Sequence, residues 1–367
     1  MKEQILLKGN IAIAKAALKC GCSCYFGYPI TPQTEIGEYL SSEMQEKNLA
    51  FVCAESELAA INMALGAASS GAKVMVSSSS CAISLMQETL SYASSDEIPF
   101  VLINIMRAGP GQGYIFPSQA DYNQSTIGGG NGDYRIITLS PSTVQECIDL
   151  TYRAFYLSQK YRNPAILLAD GLLGQMAQGV ILKENPYPEI DNSSWILNGA
   201  KNRPARKICS LEPNQEKLNS HIEKLFKKYK TIEEKEVLYE EYLCNDADII
   251  LTAFGTMGRY SKAICNYYRK NGVKMGLFRP ITLYPFPNKR LNELSQKTKF
   301  FIDIEMNMGQ MLKDVKLALA KDATCKFIKK PIGDWSGQEE TIAEIDEILK
   351  EKYANNIWNS KNNKRKL

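Results

Sequence analysis

Residues 51–68, FVCAESELAAINMALGAA, join a short apolar segment to an alanine-rich one through two acidic residues. The pattern predicts a strand over 51–53 that turns into a helix. Glu55 then lies at the turn, where it favours the helix dipole. Glu57 falls in the first helical turn beside residues 58–60, which we expect to pack inward. Glu57 is therefore predicted to be the more buried of the two acids.

Ser56 offers an ordinary structural interpretation of the same stretch, because serine is a favoured N-cap and acids are common in a first helical turn. The flanking sequence favours a functional interpretation, since it repeats the alternation of strand and helix. Strands are predicted at 24–26, 73–77, 99–106 and 165–168. They are apolar throughout, which is typical of parallel strands covered on both faces. The fold class is therefore α/β, and the first domain is predicted to span residues 1–175.

Two loops follow the carboxyl ends of these strands. The first, Gly27-Tyr28-Pro29-Ile30-Thr31-Pro32, is stiffened by its two prolines. The second begins at Arg107, which delivers a cation to the Gly-rich segment 108–113. That segment matches neither the Walker A nor the GxGxxG pattern. Because glycine-rich sequence continues to residue 134, we predict one long loop, which in a compact domain is usually functional, with the site beneath it.

Composition excludes several classes of function. The chain has 367 residues, 44% hydrophobic and 23% charged, with a net charge of +4 that is too small to indicate a nucleic-acid partner. The only histidine is His221, so Ser/His/Asp and Cys/His catalysis are disfavoured. No apolar run is long enough to span a membrane. Residues 1–4 are predicted to lead into a helix without a signal core, so we expect a cytoplasmic protein with reduced thiols.

The second half divides into three parts. Residues 176–246 are predicted to be a linker and a charged helical segment, the latter over 221–243. A second α/β domain is predicted over 247–355, with strands at 275–277 and 300–304. Within it, residues 278–287 have the prolines and aromatics of a rigid packing loop. Residues 356–367 form a basic tail, which we expect to be disordered.

Several of these motifs together resemble the alpha subunit of 2-oxoacid:ferredoxin oxidoreductases, most closely the 2-oxoisovalerate type. The resemblance rests, in chain order, on Gly27 to Pro32, Glu55-Ser56-Glu57, Ser77 to Ser80 with Ile83-Ser84-Leu85, Arg107 to Gly111, Pro117 to Tyr122 and Phe278 to Pro287. The resemblance implies a thiamine-diphosphate-binding fold of the pyrimidine type, followed by a domain like the transketolase C-terminal one. The implied reaction converts a 2-oxo acid, coenzyme A and oxidised ferredoxin to acyl-CoA, CO2 and reduced ferredoxin.

The resemblance also implies roles for individual residues. Glu57 would be the catalytic carboxylate that hydrogen-bonds the aminopyrimidine ring of thiamine diphosphate and assists removal of the thiazolium proton. Gly27, Tyr28 and Pro29 would complete the cofactor-binding set. Thr31 and Arg107 would bind the substrate carboxylate. Departures from the branched-chain pattern occur at Asn131, Ala108 and Cys81-Ala82 and bear on substrate preference.

Two motifs are missing from the sequence: a GDG…N motif for diphosphate and metal, and a ferredoxin-type cysteine run. No metal site is therefore predicted on this chain, and Cys20, Cys22 and Cys24 lack zinc or cluster spacing. Mg2+ and iron–sulfur clusters are expected on partner subunits, namely a beta subunit and ferredoxin-like gamma and delta subunits. The alternatives are a 2-oxoglutarate or pyruvate enzyme of the same superfamily and a non-catalytic α/β interaction protein.

Overall fold

The computed structural model describes residues 4–333 and 337–353, which contain two larger sheets and one strand pair. In the first part of the chain the elements are β1 (Ile5–Lys8), α1 (Gly9–Lys19), β2 (Cys24–Gly27), α2 (Thr34–Glu46), β3 (Ala50–Cys53), α3 (Glu57–Ser69), β4 (Val74–Ser78), a 3-10 helix (Ser80–Met86), α4 (Gln87–Ser95), β5 (Val101–Ala108), β6 (Tyr114–Pro117), α5 (Tyr122–Thr126), β7 (Ile137–Leu139), α6 (Val144–Tyr161), β8 (Ala165–Asp170), α7 (Gly171–Gln175) and β9 (Ala177–Val180).

The remaining elements follow a stretch without helix or strand. They are α8 (Gln215–Lys235), β10 (Tyr239–Tyr242), β11 (Ile249–Thr252), α9 (Gly255–Lys270), β12 (Met275–Pro280), β13 (Thr282–Tyr284), α10 (Asn288–Lys297), β14 (Phe300–Glu305), α11 (Leu312–Ala318), β15 (Thr324–Lys329) and α12 (Glu339–Tyr353). The tail predicted over 356–367 lies outside the described residues. No helix among those described is long and apolar enough to cross a membrane.

The first sheet has the strand order β13-β7-β8-β5-β4-β2-β3, with β6 attached to β5. All neighbours from β7 to β3 are parallel. The central strand β5 shows why the sequence is apolar throughout: Val101, Ile103 and Ile105 join the core on one face, and Leu102 and Met106 join the core on the other. The prediction of a parallel sheet covered on both sides is confirmed.

The second sheet has the order β10-β12-β11-β14-β15, parallel except for the β10–β12 pair. The strands predicted at 275–277 and 300–304 are confirmed. The charged helix, in contrast, ends at Lys235, and residues 239–242 form β10 instead of continuing it. The end of the charged segment thus contributes an edge strand to the second sheet.

Residues 278–287 do not form the loop that the sequence predicted. They complete β12 and then form β13, which pairs antiparallel with β7 at the edge of the first sheet. The first sheet therefore draws its edge strand from the second half of the chain. The prediction that residues 1–4 lead directly into a helix is also wrong, because strand β1 precedes α1 and pairs with β9.

Arg279 fastens β12 to the first half of the chain. Its side chain is only 1% exposed and donates to both carboxylate oxygens of Glu146, at 2.6 and 3.1 Å. Its Nε donates to Glu240 at 2.8 Å. One buried guanidinium therefore satisfies acids from α6 and β10, which explains why an arginine stands inside an otherwise aromatic and proline-rich stretch.

Candidate active site at the carboxyl ends of four parallel strands

Four neighbouring strands of the first sheet, β3, β2, β4 and β5, end at one edge. In register, Gly27 at the end of β2 lies opposite Cys53 on one side and Ser77 on the other, and Ser78 lies opposite Asn104. Ligands of open α/β sheets bind outside the carboxyl ends of the strands. This edge carries the loop 27–32, the start of α3, the Ser77–Ser80 segment and Arg107.

A cleft of about 240 Å³ opens beside Gly27, Tyr28 and Pro29, between β2, β3 and α2. Its inner wall is a pair of stacked rings, Tyr25 and Phe51, with centroids 5.2 Å apart. A Cβ on Gly27 would come within 2.5 Å of the Tyr25 hydroxyl, so glycine is required for this close approach. The lining of the cleft is mostly apolar.

A chain of hydrogen bonds connects the ring of Tyr25 to the loop 27–32. The hydroxyls of Tyr25 and Ser77 lie 2.6 Å apart, and Ser77 donates to Gln33 Oε1 at 2.5 Å. The amide of Gln33 reaches the carbonyl of Tyr28 at 3.4 Å. Burial raises the pKa of Tyr25 to about 12. Its hydroxyl therefore stays protonated and can donate within this network.

Glu57 begins α3, and Ser56 caps the helix by accepting from the Ala59 amide at 3.2 Å. The ordinary capping interpretation of Ser56 is therefore confirmed. Glu57 is partly buried and Glu55 is exposed, so the prediction that Glu57 is the more buried acid is confirmed. The expected inward packing of Leu58 is wrong, because this side chain is 43% exposed. The Glu57 carboxylate has no hydrogen-bond or ion-pair partner among residues 4–333 and 337–353, which leaves both oxygens free for a ligand.

Arg107 lies at the end of β5 and is 8% exposed. Its guanidinium donates to the carbonyl of Thr31, to the backbone and side-chain oxygens of Gln112, and to the sulfur of Cys81, each at 3.0 Å. The structure therefore brings Thr31 and Arg107 together as predicted, with the Thr31 backbone as the contact. These bonds fix the guanidinium at several points, while its Nε is buried without a hydrogen-bond partner among the described residues.

The loop predicted over 108–134 contains two regular elements, β6 and α5. Within it, Asp121 is buried and accepts hydrogen bonds from Ser80 Oγ at 2.6 Å and Asn104 Nδ2 at 3.0 Å. Burial raises the pKa of Asp121, and the bonds from Ser80 and Asn104 oppose that rise. Ser80 and Asp121 lie in motifs that carry the resemblance but were assigned no role from the sequence, and Asn104 was not singled out, since serine, asparagine and aspartate are also common in ordinary turns.

Within the described part of the chain, no three histidine, cysteine, aspartate or glutamate side chains are grouped as a metal site would require. Cys20 and Cys22 are buried free thiols. Desolvation raises the pKa of Cys22 to about 12. Buried, protonated thiols of this kind act as small apolar side chains in the core.

The apolar ring wall, the unpaired Glu57 carboxylate and the fixed Arg107 guanidinium all belong to elements at the carboxyl-end edge of the first sheet. Residues 15–241 match the family described as pyruvate flavodoxin/ferredoxin oxidoreductase, thiamine diphosphate-binding, and residues 247–345 match pyruvate:ferredoxin oxidoreductase core domain II. The chain belongs to the family of 2-oxoacid:ferredoxin oxidoreductases.

Sequence identity to individual members of the family differs between substrate types. The chain is 46% identical to ketoisovalerate oxidoreductase subunit VorB of Methanothermobacter marburgensis, over 85% of this chain and 89% of that protein. It is 31% identical to 2-oxoglutarate synthase subunit KorA of Methanothermobacter thermautotrophicus, over 93% of this chain and 98% of that one. The predicted resemblance to this family is confirmed.

Solved structures bear on the fold. The 2-oxoglutarate:ferredoxin oxidoreductase of Magnetococcus marinus, solved with 2-oxoglutarate, coenzyme A and succinyl-CoA, superposes with a TM-score of 0.84 at 24% identity. It covers 94% of this chain, which spans 65% of that chain's length. A split-gene transketolase superposes with a TM-score of 0.56 at 11% identity over 93% of this chain and 96% of that one. The fold class predicted from the sequence is confirmed.

Proposed function

We propose that this chain is the alpha subunit of a 2-oxoacid:ferredoxin oxidoreductase that works only in complex with partner subunits. The complex would convert a branched-chain 2-oxo acid, coenzyme A and oxidised ferredoxin to acyl-CoA, CO2 and reduced ferredoxin. The observation that carries the proposal is the edge of the first sheet, where an unpaired Glu57 carboxylate and the Arg107 fork accompany an apolar ring wall. We place the complex in the cytoplasm.

In this proposal the chain holds one end of thiamine diphosphate. Glu57 would accept a hydrogen bond from the aminopyrimidine ring, and Gly27, Tyr28 and Pro29, which line the cleft at the same edge of the sheet, would complete the cofactor-binding set. The cofactor, when bound, supplies the carbon nucleophile for decarboxylation. Glu57 fits this role because its oxygens have no partner among the described residues and because it stands in the first turn of α3.

Arg107 would bind the carboxylate common to all 2-oxo acids. Arg107→Lys is expected to lower kcat/KM for every 2-oxo acid to a similar degree, because a point charge cannot reproduce the planar fork. Loss of a charge-assisted bond of about 1.5–3 kcal/mol corresponds to roughly a 10- to 150-fold decrease. Thr31→Val should act in the same direction. Steady-state kinetics with acids of different side chains measure the effect.

Arg259→Lys provides the control for the Arg107 variant, since Arg259 is exposed and contacts only Met176 among the described residues. Reordered preference among side chains with overall efficiency preserved would instead place Arg107 in the pocket for the acyl chain. It would then no longer be the carboxylate ligand.

The branched-chain assignment is supported by the higher identity to the ketoisovalerate subunit than to the 2-oxoglutarate subunit. The test is a panel of 2-oxo acids supplied to the co-expressed complex, with ferredoxin reduction as the readout. A preference for 2-oxoglutarate or pyruvate would support the alternative enzymes. A complex that is inactive on every acid would support a non-catalytic interaction protein.

Partner subunits are needed in this proposal because it assigns only the pyrimidine end of the cofactor to this chain. The diphosphate requires a divalent metal with oxygen ligands, and we propose that a beta subunit provides Mg2+ binding. Ferredoxin-like gamma and delta subunits would carry the iron–sulfur clusters. Exposed apolar side chains flank the site, including Tyr28, Leu58 and Leu85, and a partner would cover them.

The isolated chain gives a direct test of this division. We expect it to fold, to contain no iron, to be inactive and to bind thiamine diphosphate with Mg2+ only weakly until the beta partner is added, because the diphosphate is left without neutralising ligands. Titration calorimetry measures the affinity, and a binding free energy of about −8 kcal/mol or stronger corresponds to micromolar binding. Such tight binding by the isolated chain would show that the site is complete on one chain.

A further inference from the structure

The loop that carries Asp121 is attached to the second half of the chain on both sides of that residue. Two residues before Asp121, the backbone N–H of Gln119 donates to the Met306 carbonyl at 3.0 Å, and the backbone N–H of Met306 donates to Gln119 Oε1 at 3.2 Å. The side chain of Asn307 donates to the Gln119 carbonyl at 2.8 Å. These contacts fix the chain immediately upstream of Asp121.

Gln310 encloses Asp121 from the same side. Its Nε2 donates to the carbonyl of Ala120 at 2.6 Å, and its Oε1 accepts from the amide of Asn123 at 2.9 Å. One side-chain amide thus bridges the two residues that flank the pair 121–122. The position of Asp121 is set by the segment after β14, which belongs to the second half of the chain.

The carboxylate of Asp121 is directed at Ser80. Ser80 Oγ donates to Asp121 at 2.6 Å and accepts from the backbone N–H of Arg107 at 2.8 Å. The Ser80 backbone has φ = 33°, the left-handed region that a residue with a side chain rarely adopts. Its N–H is held by Asn104 Oδ1 at 3.1 Å, and Asn104 also donates to Asp121. Strained conformations of this kind persist where the surroundings impose them.

We propose that Asp121 is a positioning residue for substrate binding, which holds Ser80 in its left-handed conformation and thereby fixes the backbone of Arg107 at the active site. The inference rests on the proposed role of Arg107 as the carboxylate ligand. It extends that role, because the loop after β14 becomes part of the apparatus that orients the arginine. Asp121 touches neither substrate nor cofactor in this arrangement.

Asp121→Ala in the assembled complex removes the nearer of the two acceptors of the Ser80 hydroxyl and leaves only the Arg107 carbonyl at 3.1 Å. We expect the KM for every 2-oxo acid to rise tenfold or more while kcat changes less than threefold and the KM for coenzyme A is unchanged. Asp121→Asn keeps one acceptor oxygen of similar position and should restore most of the affinity. An unchanged KM for 2-oxo acids, an equal rise for coenzyme A, or an asparagine variant as impaired as the alanine variant would overturn the proposal.

Tyr122→Phe is the matched control. Tyr122 is the next residue in the same loop, and its hydroxyl donates to Asp314 at 2.6 Å. The substitution removes one contact to the second half of the chain and leaves the Asp121–Ser80 bond intact, so the KM values should not change. A KM rise equal to that of Asp121→Ala would mean that any loosening of the loop is sufficient and would overturn the specific role of Asp121.

Ser80→Gly tests the same link if Asp121→Ala does not fold. Glycine adopts φ = 33° without strain and lacks the hydroxyl that bonds to Asp121. The variant should reproduce the rise in KM for 2-oxo acids, and normal KM values would overturn the proposal. Asp121→Ala and Arg107→Lys can also be combined in a double-mutant cycle. The decrease in kcat/KM of the double variant should be smaller than the product of the two single decreases. Independent effects would show that Asp121 does not act through Arg107.

A chemical readout separates this inference from the proposed function. If Arg107→Lys leaves every KM unchanged, the carboxylate role of Arg107 fails, and the rate of Arg107 modification by phenylglyoxal, followed by mass spectrometry, still tests the link. Asp121→Ala should raise that rate severalfold, and Tyr122→Phe should not. An unchanged rate in Asp121→Ala would overturn the positioning role.

Discussion

Replacing Glu57 with glutamine should lower turnover of the assembled enzyme by about 10²- to 10⁴-fold, the usual contribution of a general acid–base group. Glutamine has the size of glutamate and keeps one acceptor oxygen, but an amide does not exchange a proton as a carboxylate does. The fold should be preserved, because Glu57 has no partner among the described residues and the cap of α3 is provided by Ser56. Steady-state kcat at saturating thiamine diphosphate measures the loss, and circular dichroism checks the fold.

Glu55→Gln is the matched control for this variant. Glu55 is an exposed acid two residues earlier in the same turn, and its amide variant should retain nearly full activity. If the two variants exchanged behaviour, Glu55 would be the functional carboxylate. Near-normal turnover of Glu57→Gln alone would remove the role assigned to it.

Replacing Arg279 with methionine should destabilise the protein by about 3 kcal/mol, because loss of one partner of a buried ion pair leaves uncompensated charge. This value lies at the lower end of the usual range since the side chains of Glu146 and Glu240 are 26% and 29% exposed and recover some hydration. Methionine fills much of the volume, so the loss is mainly electrostatic. The midpoint of urea unfolding, followed by circular dichroism, reports the change.

Arg290→Met supplies the comparison for Arg279. Arg290 also pairs with two acids, Glu241 and Glu293, but its side chain is 33% exposed. Exposed pairs contribute about 0–1 kcal/mol, so this variant should shift the midpoint only slightly. Equal shifts for the two variants would contradict the importance of burial at Arg279.

The central part of the first sheet was predictable from the sequence for a physical reason. Strands such as β5 and β8 are apolar on both faces, and in a chain of alternating strands and helices that pattern is typical of a parallel sheet covered on both sides. The ends of these strands then placed Arg107 and the loop 27–32 at one edge without any structural information. The contact between Thr31 and Arg107 was not predictable in this way, because it also depends on the strand order, in which β4 alone separates β2 from β5.

Other features depend on contacts between distant parts of the chain and were not predictable. Strand β13 is three residues long and lies in the four-residue stretch between Pro280 and Pro285, so only its pairing with β7 makes it a strand. The left-handed Ser80 is stabilised by Asn104 and Asp121, which are 24 and 41 residues away. Leu58 was expected to face inward because it is apolar, but apolar residues also occupy surfaces that partners cover.

The pairing of β13 with β7 has a consequence for folding during translation. Strand β7 ends at Leu139, and its neighbour β13 begins at Thr282, so 143 residues of synthesis separate the two. At about 5–20 residues per second, that interval lasts roughly 7 to 30 s. During this interval β7 is an unpaired edge strand of the nascent first sheet, and its free backbone groups can pair with another extended chain. We therefore expect this edge to be open to such pairing until β13 has been synthesised.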